Sequence, residues 1–142
     1  MKNGTVKEGP LSDTITEFGM INAFIAGQKY EWVYSVIPAD GWFGFEGLIK
    51  HNVQTRSEEH FRLPDGVYAS ETVFAPRPNA TSEDDGYLIT FTMDVPNDQS
   101  HCEIFDAKDL SAGAIARIRL PERICSGTHA TWADASSLTL KS

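Results

Sequence analysis

ETVFAPRPNATSEDDGYLITF, residues 71–91, divides into a short apolar run, a polar loop and the start of a long apolar strand. Residues 71–75 carry the β-branched and aromatic side chains that fit a pleated surface. RPNATSEDDG, by contrast, is built from residues that favour turns and interrupt strands. The apolar run resumes at Tyr87 and continues to residue 94, so the stretch predicts two strands around one loop.

Working outward, the same alternation of apolar runs and turn clusters covers most of the chain. Downstream, VPNDQS leads to a candidate strand at 101–106, and KDLSAG leads to another at 114–120. Residues 107–113 have room for a single helical turn with Asp109 near its start. Upstream, candidate strands at 30–36, 45–52 and 58–63 are separated by PADGWFG and followed by LPDGVY, with a further candidate at 21–25. No amphipathic helix of useful length is present in the pattern, and the polar ends, 1–13 and 134–142, are expected to be frayed or extended.

The fold class that follows is all-β and antiparallel. Four-stranded antiparallel units in series are how a β-propeller is made, but two units do not close one. The same strands also suit a self-contained sandwich, which periodicity alone favours.

The chain has 142 residues, within the range of one domain. Its hydrophobic fraction of 41% and charged fraction of 23% are those of a packed globular protein. A formal charge of −8 leaves no basic stripe for phosphate, which excludes nucleic acid as a partner and argues against anionic lipid. No apolar run reaches membrane-spanning length, so no integral membrane segment is expected; MKNGTVKEGP has no signal-peptide core, and the cytoplasm is the expected location. Cys102 and Cys125 form no CxxC pair and read as free, partly buried thiols.

Four segments in order resemble the carotenoid cleavage oxygenase family of carotenoid, apocarotenoid and lignostilbene dioxygenases. ETVFAPR with EDDG is similar to the family's Glu-x-x-Phe-x-Pro-Arg and Glu-Asp-Asp-Gly stretch. IFDAKDLSAGAIARIRLPERI (104–124) is similar to its Asp-Ala-x-Asp-Leu and Ala-Arg-x-x-Leu-Pro run. SGTHATW (126–132) resembles its iron-ligand segment, and TEFGMIN (16–22) resembles its Phe-Glu-Phe-Pro-x-Ile-Asp segment. The likeness runs from about residue 15 to 133.

That resemblance implies a seven-bladed propeller whose last two blades lie here, about 15–66 and about 67–133, with the N-terminal blades missing. It implies Fe(II) held by four histidines, O2, and oxidative cleavage of a double bond in an apolar conjugated substrate. Carried over by position, His129 is the last iron ligand. Glu71 is the carboxylate that orients it, and Glu17 is a carboxylate serving another ligand. Thr128 stands where the family has an aromatic residue, and Gly19 where it has proline. With one ligand of four, the isolated chain is expected to be inactive.

Without the resemblance, His129 reads as an ordinary surface or core histidine. His51, His60 and His101 fall at ordinary strand positions and are not expected to bind metal. The acidic run 83–85 lacks the alternating oxygen ligands of a calcium loop and reads as a turn before the long strand. Trp32, Trp42 and Trp132 are expected to pack in the core. The alternative function is a catalytically inactive all-β binding module derived from the same family.

Overall fold

A computed structural model describes residues 4–6, 8–41, 43–135 and 138. Among them are nine strands and two single 3-10 turns, with no α-helix. The strands are β1 (Glu17–Met20), β2 (Trp32–Pro38), β3 (Phe45–Asn52), β4 (Glu58–Arg62), β5 (Val67–Ala69), β6 (Val73–Pro76), β7 (Gly86–Asp94), β8 (Gln99–Asp106) and β9 (Ala114–Arg119).

Strands β1–β4 pair in chain order as one antiparallel unit, and β6–β9 pair in chain order as a second. Three-residue β5 joins them: Ala69 sits opposite Phe45 of β3, and Val67 sits opposite Asp94 of β7. A sandwich would distribute its strands over two sheets through Greek-key connections. Here all nine strands belong to one sheet made of consecutive four-stranded meanders, the construction of propeller blades.

The longest strand shows why the pattern was readable. Along β7, Leu88, Thr90 and Thr92 are buried, whereas Tyr87, Ile89 and Phe91 are half-buried or exposed, a strict period of two. The buried face turns toward the first unit. Leu88 and Phe105 join Tyr34, Leu48, Phe74, Ala107 and Leu110 in one core cluster, so both units contribute to it. A second cluster holds Val36, Phe45, Leu63, Val67 and Ala69, with Phe61 packed against both. Thr92 lies on the same face and is satisfied by donating to Glu103 Oε1 (3.1 Å), which Arg117 Nε also approaches at 3.0 Å.

The acidic loop does more than cap a strand. The Glu83 carboxylate accepts from the backbone N–H groups of Glu31 (2.9 Å) and Trp32 (2.8 Å), tying the loop to the start of β2. Asp84 Oδ2 lies 3.2 Å from Nζ of Lys50, a lysine only 2% exposed that also sits 4.0 Å from the Trp32 ring centroid. Asp85 accepts from Arg77 Nε and from the Thr81 backbone, closing its own loop. Gly86 is required next, because a Cβ there would meet the Ala75 carbonyl oxygen at 2.5 Å and the Phe74 ring.

Several expectations are corrected. The first strand is Glu17–Met20, not 21–25: the Asn22 side chain accepts from the Phe24 backbone and starts a 3-10 turn at Ala23–Ile25. Strand β6 begins at Val73, two residues after the predicted start, and β5 was read as turn. Trp132 is 43% exposed rather than packed in the core, and Cys125 is exposed rather than partly buried. Trp32 is half-buried against Lys50, and Trp42 lies outside the described residues. The predicted turn after β8 is present as Leu110–Ala112, with Asp109 accepting from the Ala112 backbone. The expectation for the chain ends falls partly outside the described residues; of those described, residues 8–16 contain no strand.

Candidate functional site

Between β5 and β6 the chain is held flat against β7. Ser70 N–H donates to the Phe91 carbonyl (2.8 Å), Phe91 N–H donates to Ser70 Oγ (3.2 Å), and Thr90 Oγ1 donates to the Ser70 carbonyl (3.0 Å). This clamp fixes the backbone of Glu71, whose side chain is only 7% exposed. A buried carboxylate is costly unless donors reach it. Its Oε2 accepts from the backbone N–H of Ala130 at 2.5 Å, across 59 residues of sequence.

That contact anchors the stretch after β9. Residues 120–134 contain no strand, yet they return along the second unit to Glu71. His129 precedes Ala130, and its Nδ1 lies 3.5 Å from the same Oε2, longer than an ordinary hydrogen bond. The imidazole is otherwise open, with 81% of its side chain exposed. Its ring packs T-shaped with that of Phe18, with centroids 5.4 Å apart and an interplanar angle of 75°. A carboxylate beside Nδ1 favours the tautomer with a proton there, which leaves Nε2 as a free acceptor or ligand atom.

A cavity of about 130 Å³ lies at this point, lined by Ser70, Glu71, Phe91, Gly127 and His129 among others. It adjoins a larger apolar cavity of about 420 Å³ through Ile124 and Cys125, which line both. Phe43, Met93 and Val95 line the far part.

The structure therefore brings Glu71 and His129 together. Glu17 does not join them: its carboxylate is exposed and has no side-chain partner among the described residues, although its neighbour Phe18 reaches His129. The other histidines are elsewhere. His51 is buried on β3 with Nδ1 3.6 Å from Glu58, and that burial lowers its pKa below the ordinary histidine value. His60 is exposed and 2.9 Å from the other Glu58 oxygen. His101 is buried on β8 and its Nδ1 has no partner among the described residues. No three His, Cys, Asp or Glu are grouped to hold a metal among the described residues. Sequence reasoning overlooked Phe18 and the Ala130 N–H. A backbone donor leaves no mark in a sequence, and nothing in the string TEFGMIN distinguishes Phe18 as a contact of His129.

A family model described as retinal pigment epithelial membrane protein matches residues 1–134. Carotenoid 9,10(9',10')-cleavage dioxygenase 1 of Arabidopsis thaliana is 33% identical over 151 aligned positions, covering 97% of this chain and 28% of that protein. The crystal structure of Pseudomonas brassicacearum lignostilbene dioxygenase superposes with a TM-score of 0.81 at 25% identity, over 87% of this chain and 28% of that one. Cobalt-substituted Synechocystis apocarotenoid oxygenase shares the fold, with a TM-score of 0.77 at 24% identity over 87% of this chain and 26% of that one. The chain thus spans little more than a quarter of the length of these relatives. No helix among the described residues is long and apolar enough to cross a membrane, which says nothing of strands.

Proposed function

The chain belongs to the carotenoid cleavage oxygenase family, and we propose that it forms the C-terminal part of a non-haem Fe(II) dioxygenase that cleaves a carbon–carbon double bond of a carotenoid, apocarotenoid or stilbene. In this reading β1–β4 and β6–β9 are the penultimate and last blades of the propeller, about residues 15–66 and 67–133. The observation that carries it is the pairing of buried Glu71 with exposed His129, which leaves one imidazole nitrogen free.

The residues fit one ligand's share of an iron site. His129 would hold the metal through Nε2, because Nδ1 faces Glu71. Glu71 would fix the tautomer and, by holding the Ala130 N–H, the backbone that carries the ring. Iron, when bound, supplies activation of O2 for the oxidative scission. Glu17, exposed on β1, is assigned to a second ligand histidine outside this chain. The three other histidines are assigned to the N-terminal blades. The apolar cavity that adjoins the Glu71 pocket suits a conjugated, water-poor substrate.

A self-sufficient binding module should cover or charge its outer faces. The second unit instead exposes Ile118 (52%) and, beside the 43%-exposed Trp132, Ile115 (58%). A groove of about 460 Å³ runs between Ile115 and Trp132, lined also by Ile89 and Ile104 with other residues. That face supports the reading of a blade that meets another blade.

In the full polypeptide, His129→Ala is expected to abolish iron loading and O2-dependent cleavage, read by metal analysis and product chromatography. Iron content equal to wild type would remove the assignment.

A further inference from the structure

Strand β1 contains an irregularity that places Phe18 between the core cluster around Phe45 and the ring of His129. Glu17 sits opposite Val36 and Met20 opposite Tyr34, so β1 spends one residue more than its partner between these pairs. The extra residue is accommodated at Phe18, whose φ of +52° lies in the left-handed region. A bulky side chain is rare there, and such strain persists only where the surroundings hold it. A glycine is available one position on. Gly19 has no such φ, and a Cβ on it would make only ordinary contacts with Ser35 Oγ and Val33 Cγ1, both at 3.6 Å. The chain places the left-handed backbone on the aromatic residue and spares the glycine.

Bulges re-aim side chains, and the re-aimed ring has two partners. On one side is Phe45, with centroids 5.4 Å apart at 77°. Phe45 is 3% exposed and belongs to the core cluster around Val36 and Val67, so it is a fixed backing. On the other side is His129, again at 5.4 Å and edge-on. His129 rides on a strandless segment with most of its side chain in solvent. One contact near Nδ1 leaves the imidazole free to swing about that point. The T-shaped contact with Phe18 supplies a second restraint on the ring.

We propose that Phe18 is a positioning residue for His129: the β1 bulge presses its ring, backed by Phe45, edge-on to the imidazole, and together with Glu71 it sets where Nε2 points. The proposal rests on the reading of His129 as a metal ligand.

The test is Co(II) titration of the full polypeptide, read by the visible absorption of the bound ion, for wild type, Phe18→Gly, Phe18→Tyr and His129→Ala. Glycine tolerates the left-handed backbone, which offsets part of the packing lost against Phe45, so Phe18→Gly should still fold, with a lowered thermal midpoint, while losing the ring. It is expected to weaken Co(II) binding by about 3- to 10-fold, less than the roughly 10–100-fold typical of losing a hydrogen-bonding outer partner, and to alter the Co(II) spectrum. Phe18→Tyr retains the edge and should stay within about twofold of wild type. Unchanged affinity and spectrum in Phe18→Gly, with binding weakened in His129→Ala, would overturn the role of Phe18 alone. Unchanged binding in His129→Ala would overturn the ligand assignment and the proposal with it. Should Phe18→Gly fail to fold, Phe18→Leu, which keeps contact with Phe45 but lacks the aromatic edge, carries the same expectation.

Discussion

Replacing Asp84 with alanine is expected to destabilise the protein more than replacing its partner Lys50 with methionine. Lys50 is 2% exposed, and its Nζ lies 3.2 Å from Asp84 and 3.7 Å from Glu59. At an effective dielectric constant of about 20, those separations correspond to gross attractions of about 5 and about 4.5 kcal/mol. Most of that offsets the desolvation of the ammonium group, so neither figure is a net stability. Removing one partner of a fully buried pair costs about 3–5 kcal/mol, because the remaining charge is stranded. In Asp84→Ala the stranding is partial: Glu59 and the Lys108 carbonyl (3.5 Å) remain near Nζ. A loss of about 2–3 kcal/mol follows. Lys50→Met removes the buried charge itself and keeps an unbranched chain beside Trp32. Asp84 and Glu59, with side chains 16% and 33% exposed, can recover water. Its cost should be about 0–1 kcal/mol. Urea denaturation of the full polypeptide, followed by tryptophan fluorescence, measures both. In the Lys50→Met background, Asp84→Ala should cost little, since there is no ammonium group left to strand. A larger loss for Lys50→Met than for Asp84→Ala would refute the reasoning.

Two further outcomes follow from the site and its surroundings. Glu71→Ala should lower iron affinity by roughly 10–100-fold, whereas Glu71→Gln, whose amide oxygen can still accept from the Ala130 N–H, should lose less; equal losses in metal titration would show that the backbone contact is irrelevant. His51 is held neutral by burial, against the opposing pull of Glu58 and with His60 nearby. Its folded pKa lies below the unfolded value of about 6.5, so its stabilising contribution is complete above that pH and is lost as pH falls toward the folded value. Denaturation midpoints should therefore drop from pH 7.5 to 5.5, and His51→Leu should flatten that window; an unaltered slope in the variant would exclude His51 as its source.

Strand identity was legible along β7, where one face is buried and the other is not, and in β2 and β3, which are buried in continuous runs bounded by turn residues. It failed where pairing rather than composition makes the strand. In β5, Val67–Ala69 follows LPDG, whose turn character dominates any local reading, and its extended form comes from β3 on one side and β7 on the other. The apolar letters of 21–25 misled for the opposite reason: Asn22 caps a turn there, and cap geometry outweighs apolar content in so short a segment. The site is a separate matter. Nothing in the spacing of Glu71 and His129 joins them. Their association was legible only through the family resemblance of their two segments, and the structure brings them within 3.5 Å. Phe18 required the structure, since a strained backbone angle has no signature in a string of residues.

The attachment of the His129 segment also makes two distant stretches mechanically dependent. After β9 the chain is pinned first at the β7–β8 end, where Leu120 N–H donates to the Ser100 carbonyl and Ile124 N–H to Ser100 Oγ. It is pinned again at Glu71, on a joint that Ser70 locks to the middle of β7. The histidine thus hangs near the second of two moorings on one hairpin, and a change that loosens Ser70 is expected to slacken the ring without unfastening the rest of the segment.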